Sequence, residues 1–600
     1  MTTQLNTEPD APTVQNRNTQ SQVTYVGTLV GESTSQEFRL AVNHESIREQ
    51  DIIAVDAEFR LPDKEEKEKV RVWAKVKSIE RINPLFPTEA GHELAATQTS
   101  PFDTVLSLSR EMVTAVCQVL GTEPIEGDKS GKLSQLRYPA QPASSAYRPS
   151  DSDIQRVLLG DLQTKKQRMI DLATLANRPN VNVAVDGHNI VTRHLAILAM
   201  TGAGKSVTSR RIIEELAKKN YPIVIFDPHG DYTGLADVPE LKDKVKRYYA
   251  EFSIFDEDSE TVAKIVSTLG YELTGTMLNL FEDVFEAAKN FYGENDSSRQ
   301  EQVGWLSERL NNSDIKKYGI KQDLWLIANL ANAAALSIRE ENRVHVKKLE
   351  EWGWKQISNY DKRNANSLAG IAKRTYSAAR LLQRMQEINR KVAKQQAEPL
   401  PKERTQLVKY GQISVVSLAG YTSDFQATIY SLIANSIFEK KVQNDLPLPV
   451  LFVLEEAHNF VPSSARTPAE SRSITTTKQI AQEGRKFNIG LVLISQRPSR
   501  LDETTLAMCN SYIIMRMINP ADQQFVRKVI ESLGEDDAKL LPDLDVGEAI
   551  LSGQFVNFPV LVKIKPPESK GEREEQDAFE MLEEAKKEVR RKKSKGKSEK

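Results

Sequence analysis

The stretch HLAILAMTGAGKS, His194 to Ser206, joins an apolar run to a glycine-bearing turn, and a helix pattern follows as far as Asn220. A strand that passes through such a turn into a helix is the setting of a phosphate-binding loop. From Ala199 to Ser206 the residues fit G-x-x-x-x-G-K-[ST], with alanine in place of the first glycine. Gly202 and Gly204 let backbone N–H groups turn inward around phosphates with no side chain in the way. The nucleotide-binding segment is therefore expected at Thr201, Gly202, Ala203, Gly204, Lys205, Ser206 and Val207. Lys205 is expected to reach the β- and γ-phosphates and the Ser206 hydroxyl to ligate Mg²⁺, so ATP and Mg²⁺ are the cofactors implied.

A hydrolytic site needs acids as well, one for the metal and one to activate water. VLFVLEEAHN, Val450 to Asn459, ends an apolar strand on two of them. Glu455 is placed in the metal shell, its long stem implying contact through water, and Glu456 is the expected base. His458 is either a nucleotide sensor or a hydrogen-bonded structural histidine. DPHGDY, Asp227 to Tyr232, is expected to end the strand next to the phosphate-loop strand, bringing Asp227, His229 and Asp231 near the γ-phosphate. SQRP, Ser495 to Pro498, offers Gln496 as a γ-phosphate contact. EGRK, Glu483 to Lys486, offers Arg485 as a cation supplied to a neighbouring subunit, with Arg497 and Arg516 in reserve.

Working outward, buried apolar strands (PIVIFD, QISVVSLAG, PVLFVLEEA, IGLVLISQ, SYIIMRM) alternate with amphipathic helices. That alternation specifies an α/β fold with a mostly parallel sheet covered on both faces. The expected organisation is a disordered leader over 1–21 and a small β-barrel with its linker over 22–150. The first part of the motor domain follows over 151–255, and a helical insert over 256–396. The second part and a closing strand pair take 397–568, and a charged tail 569–600. Within the barrel region, TYVGTLVG, EFRLAVN, DIIAVDAEF and VRVWAKVKSI read as short strands, and Asp103 to Gly121 as a helix packed on them.

Composition narrows the function classes. Six hundred residues exceed one core, and the two cysteines, Cys117 and Cys509, build neither a disulfide framework nor a metal site, which points to a reducing cytoplasm. No apolar run approaches the ~18–20 residues that cross a bilayer, so no membrane role is expected. The net charge of −2 means that any nucleic-acid surface is local, as in a channel. The basic run Lys586 to Lys600 is expected to be a solvated end.

LAILAMTGAGKS, IFDPHGDYTG, VLEEAHNFVP, EGRKFNIGLVLISQRPS and NPADQQ together resemble the HerA family of hexameric DNA translocases, relatives of the FtsK motors. The resemblance starts at YVGTLVGESTSQEFRLAV and runs to the strand pair near Pro566. It implies a RecA-like motor with a helical insert and an N-terminal β-barrel, assembled as a homohexamer that acts on double-stranded DNA. It implies nucleotide between subunits, with Lys205 and Glu456 acting in one, Arg485 reaching in from the next, and Arg193, on the strand before the phosphate loop, as a nucleotide contact. It also implies a partner docked on the barrel, either a nuclease of the NurA type in DNA-end processing or an antiviral effector such as a nuclease or a sirtuin-like NADase. The competing reading is a nucleotide-dependent hexameric scaffold that organises effectors without processive translocation.

Overall fold

In the computed structural model, the described residues are 24–42, 46–60, 67–82, 112–126, 130–291, 296–312, 315, 323–393, 397–570 and 579–587. The leader 1–21 and most of the charged tail lie outside them. The chain divides into two compact units, Met1–Gln163 and Thr164–Lys600.

The first unit is a closed barrel of six strands: β1 (Thr24–Ser33), β2 (Glu37–Val42), β3 (Ile52–Arg60), β4 (Lys67–Ile82), β5 (Met112–Pro124) and β6 (Ser145–Arg148). Their order around the barrel is β1-β2-β5-β4-β3-β6. Inward-facing Val26, Leu29, Phe38, Leu40, Ile53, Val55, Val72 and Ala74 alternate with outward residues and fill the interior. The helix expected at Asp103 to Gly121 is not seen over its described residues, 112–121; the rest of it lies outside the described residues. Its described portion is β5, paired on one edge with β2 and on the other with β4. The helix Asp151–Leu159 belongs to this unit rather than to the second, which moves the division past the expected 150/151 boundary. Arg156 explains why. Its guanidinium forks onto Glu123 at 2.6 and 2.8 Å, and Glu123 also accepts from Trp73 Nε1 at 3.1 Å.

In the second unit the strands β9 (Leu195–Leu198), β10 (Ile223–Asp227), β13 (Ile413–Ser417), β14 (Val450–Leu454), β15 (Ile489–Ser495) and β16 (Ser511–Met515) are buried at every position. Only the middle of a sheet covered on both faces gives strands of that kind. With β7 (Met169–Leu175), β8 (Arg178–Asp186), β11 (Val245–Tyr249), β12 (Glu398–Pro399), β17 (Glu548–Gly553) and β18 (Val560–Ile564), they form a twelve-stranded sheet. Its order is β12-β11-β13-β10-β14-β15-β9-β16-β17-β18-β7-β8. Neighbours from β12 to β16 are parallel, and those from β16 to β8 antiparallel.

The order corrects one expectation. Asp227 ends β10, but β14 and β15 stand between β10 and the phosphate-loop strand β9. The crossover through the helix Lys205–Lys218 lands β10 away from β9, and later strands fill the gap. Between β11 and β13 the chain is mainly helical, with Ser259–Leu269, Gly275–Asn290, Leu324–Arg339 and the long Lys362–Ala393 sharing one apolar core with the sheet. No helix among the described residues is long and apolar enough to cross a membrane.

Candidate nucleotide site

Parallel strands present their carboxyl ends on one edge, and that edge collects the chemistry. β9 delivers the loop Ala199–Gly204 into the helix Lys205–Lys218. Gly202 and Gly204 have φ of 81° and 107°, a backbone region open mainly to glycine. A Cβ on Gly204 would also stand 3.1 Å from Met515 Cε. Ala199 is not among the positive-φ residues, so its replacement of glycine costs the loop nothing there. The loop is tied at its flanks: Ala199 N–H donates to the Ser495 carbonyl at 3.2 Å, Met200 N–H to that of Arg516 at 3.0 Å, and Gly547 N–H to that of Ala203 at 3.0 Å. No side chain caps the helix that follows Gly204, so its first N–H groups point into the cradle.

Lys205 rises between the two expected acids. Its Nζ donates to Glu455 Oε1 and to Glu456 Oε1, each at 2.6 Å. Glu455 is fully buried and Glu456 nearly so. Burial pushes the Glu455 carboxyl up, and Lys205 pulls it back. For Lys205 burial works against the charge, but the two glutamates outweigh it and the net shift is upward. Glu456 sits at φ 51°, ψ 53°, a left-handed conformation that is strained for a residue with a side chain. Its Oε2 lies 3.3 Å from His458 Nδ1. Burial lowers the His458 pKa, Glu456 opposes that, and Arg497 and Arg500 add to it.

Gln496, just past β15, accepts from the Thr201 hydroxyl at 2.5 Å, which ties the residue after β15 to the phosphate loop. Beside this pair opens a cleft of about 760 Å³, lined also by Arg497, Arg500, Asn519 and Asp522. Of the reserve arginines, Arg497 lines this cleft, whereas Arg516 is held by the Pro542 carbonyl at 3.2 Å.

Arg485 and Arg193 are not part of this cluster. Arg485 lies in the last turn of the helix Pro468–Phe487, which leads into the amino end of β15. Arg193 is not on a strand: it ends the helix Gly187–Arg193, capped by Asp186, and His194 at φ 62° turns the chain into β9. Both arginines stand at the amino edge of the sheet: β15, about 20 Å long, lies between Arg485 and Gln496, and the shorter β9, about 13 Å, between Arg193 and the phosphate loop. There His188 has its pKa lowered by burial first, then by Arg168, with Arg193 and Arg485 adding to the effect and Asp186 opposing it. One copy of the chain therefore holds the loop and the acids at one edge of the sheet and these arginines at the other.

The DPHGDY turn plays a different part from the one expected. Asp227 is wholly buried, and its carboxylate accepts from the N–H groups of His229, Gly230, Asp231 and Tyr232. It organises the turn rather than facing a phosphate. The residue that reaches the acids is Tyr232, fully buried, whose hydroxyl donates to Glu455 Oε2 at 2.5 Å and lies 2.8 Å from Ser209 Oγ. Neither Tyr232 nor Ser209 stood out in the sequence; the position of Tyr232 at the end of an Asp-rich turn was the available signal.

The donor set fits a magnesium–triphosphate. It offers a glycine cradle with inward N–H groups, an ammonium, a hydroxyl at Ser206, and two buried carboxylates held on that ammonium.

Residues 170–437 match the family model described as the central domain of the helicase HerA. A probable helicase of Methanocaldococcus jannaschii is 27% identical over 462 residues, covering 74% of this chain and 76% of that protein. The DNA double-strand break repair helicase HerA of Pyrococcus furiosus is 28% identical over 492 residues, covering 76% of this chain and 78% of that protein. The structure of VirB4 of Thermoanaerobacter pseudethanolicus aligns with a TM-score of 0.40 at 14% identity, covering 66% of this chain and 96% of that one. The chain is thus similar to HerA helicases, through a central domain at residues 170–437 and relatives aligned over about three quarters of its length.

Proposed function

We propose that this chain is an ATP-hydrolysing motor that moves along double-stranded DNA as a ring of six copies, working with a nuclease or other effector in DNA-end processing or antiviral defence. The observation that carries the reading is Lys205 held at 2.6 Å by both Glu455 and Glu456 at the carboxyl edge of the sheet. A phosphate-loop lysine and two adjacent acids in mutual contact are the parts of a hydrolytic site, and a scaffold needs only the loop.

The residues act as follows. Thr201 to Val207 wrap the phosphates with backbone N–H groups, and Lys205 leaves the acids for the β- and γ-oxygens. Ser206 and Glu455 would hold magnesium, which when bound supplies positive charge to the phosphate oxygens. Glu456 takes a proton from the attacking water as the water oxygen bonds to the γ-phosphorus and the bond to the ADP oxygen breaks. Gln496, tied to Thr201, contacts the γ-phosphate and registers its loss. Arg485 of a second copy, with Arg193 beside it, meets the charge that develops in the transition state. Support for duplex DNA as the track comes from the repair-helicase names of the relatives, and the barrel unit is the proposed docking surface for the effector.

The test is the ATPase rate of the purified full chain with and without linear duplex DNA, beside a Glu456→Gln variant. The expected result is hydrolysis that DNA stimulates and Glu456→Gln abolishes. Hydrolysis indifferent to DNA would replace the motor with the scaffold, and no hydrolysis at all would remove the enzyme.

A further inference from the structure

We propose that Tyr232 is the positioning residue for the metal-side carboxylate: its hydroxyl pins Glu455 when Lys205 departs for the nucleotide. The inference rests on the ATPase reading above and adds to it a residue, a partner atom and a measurable consequence.

Glu455 has two ties, one per oxygen. Oε1 accepts from Lys205 at 2.6 Å and Oε2 accepts from Tyr232 at 2.5 Å. A single phenolic proton serves one acceptor, and a carboxylate at the shorter distance takes it in preference to Ser209 Oγ at 2.8 Å. Ser209 then lines the other side of the phenol, and its oxygen also stands 3.2 Å from the Ser206 carbonyl. The phenol thus lies between the first turn of the phosphate-loop helix and the acid at the end of β14. None of these groups meets solvent: Tyr232 and Glu455 are 0% exposed and Ser209 is 2% exposed.

The ring is fixed from behind. Asp227 accepts the Tyr232 N–H on Oδ2, and the N–H groups of His229, Gly230 and Asp231 on Oδ1. The Asp227 carbonyl in turn accepts from Leu418 N–H at 2.8 Å, so the turn is also held by the segment after β13. Such a support suits a hydroxyl that must stay in place while its neighbours exchange partners.

That exchange is where the residue matters. Once a phosphate draws Lys205 away, Glu455 retains a single hydrogen bond, the one from Tyr232. Without it the carboxylate would be buried with no partner, a costly state that it would avoid by staying on Lys205. Lys205 and the metal would then compete for the same acid. With Tyr232 in place, Glu455 keeps its orientation and Lys205 is free to go.

The experiment uses the full chain and two variants, Tyr232→Phe and Ser209→Ala. Phenylalanine keeps the ring that fills the site and deletes only the oxygen. Mn²⁺ is titrated into protein saturated with ADP, and the free ion is followed by electron paramagnetic resonance. ADP binding is measured separately in excess chelator. Tyr232→Phe is expected to weaken Mn²⁺ binding about tenfold, the lower end of what supporting residues around a metal contribute, and to leave metal-free ADP binding within about twofold. Steady-state hydrolysis should show a lower kcat and a higher Mg²⁺ requirement, with KM for ATP unchanged at saturating Mg²⁺. Ser209→Ala, which removes the oxygen packed 2.8 Å from the phenol and keeps the phenol itself, should weaken Mn²⁺ about threefold, and it decides the matter alone if Tyr232→Phe does not fold. Wild-type Mn²⁺ isotherms in the variants, from a wild type that hydrolyses ATP, would overturn the positioning role and leave the ATPase standing. A wild type that neither hydrolyses ATP nor binds Mn²⁺ with ADP would overturn both.

Discussion

The two edges of the central sheet carry opposite electrostatic designs. At the carboxyl edge a half-buried lysine is matched by two buried glutamates, and each of these charges has a partner within the same chain. At the amino edge Arg168, Arg193 and Arg485 surround His188, and Asp186 is the acid that acts against them. Arg485 is exposed and forms no ion pair among the described residues. A self-neutralised edge can wait, folded, for a ligand that rearranges it. An edge with excess cation is arranged for an anion that the chain itself does not supply. The difference teaches that one copy matches its charges at one edge and leaves cations over at the other; in the proposed ring a neighbouring copy would bring the two edges together.

The comparison breaks most visibly at Arg485. If the amino edge serves a neighbour's phosphates, Arg485→Ala should lower the ATPase rate about 10³-fold, the lower end for an arginine supplied in trans, while nucleotide binding falls far less. Mixing is the sharper measurement. Lys205→Ala and Arg485→Ala copies should each be inactive alone, and mixing them should restore turnover at interfaces that pair the intact loop of one with the intact arginine of the other. Mixtures no more active than the mean of the two variants would show that Arg485 acts within its own chain or not at all.

At the carboxyl edge the matching change is Glu456→Gln. It should lower hydrolysis by about 10²-fold or more, as expected for loss of a general base, and leave ATP binding in place. Trapped ATP measured by filter binding, with no product formed, is the expected signature. A variant that turns over normally would mean that the left-handed strain at Glu456 serves something other than the attacking water.

What the sequence disclosed follows this same division. The loop, the two glutamates and Gln496 are local features, and each strand announces itself by an unbroken apolar run, so the carboxyl edge was legible. Strand order was not, because which strand fills the space between β9 and β10 depends on chain that comes 200 and more residues later. The contact of Tyr232 with Glu455 was not legible for a similar reason, the two lying 223 residues apart. Local ambiguity explains the remaining errors. In β5, Val113, Val116, Cys117 and Leu120 fall at helical spacing, while Val113, Ala115 and Cys117, all buried, also alternate as a strand requires. The seven-residue helix ending at Arg193 contains Ile190, Val191 and Thr192, β-branched residues that read as the start of the next strand.

A third change tests the support beneath the amino edge. His194 is buried, its Nε2 lies 3.1 Å from the Ala481 carbonyl, and burial pushes its pKa down to about 4. The unfolded chain, with an ordinary imidazole, binds the proton more readily, so stability is complete above about pH 7 and is lost as the pH falls toward 4. At about pH 5 the loss is ~2 kcal/mol from this group. Urea unfolding at the two pH values should show that loss in the wild type and a smaller one in His194→Gln. Equal losses would place the acid sensitivity elsewhere.

The smallest expected effect lies at Thr201, and it distinguishes a sensor from a strut. The hydrogen bond from Thr201 to Gln496 joins the loop to the strand that leads back, through β15, to Arg485 at the opposite edge. Thr201→Val removes the donor and keeps the shape, at about 1 kcal/mol, or roughly fivefold in an equilibrium. If the bond were only a strut, that loss would appear as weaker binding of ATP and ADP alike. If Gln496 registers the γ-phosphate, ATP loosens the bond and ADP restores it, so the variant should lose affinity for ADP and keep it for ATP. Competition between the two nucleotides, read as a ratio, cancels general damage to the loop. An unchanged ratio would confine Gln496 to holding the loop and leave the two edges of the sheet without this link.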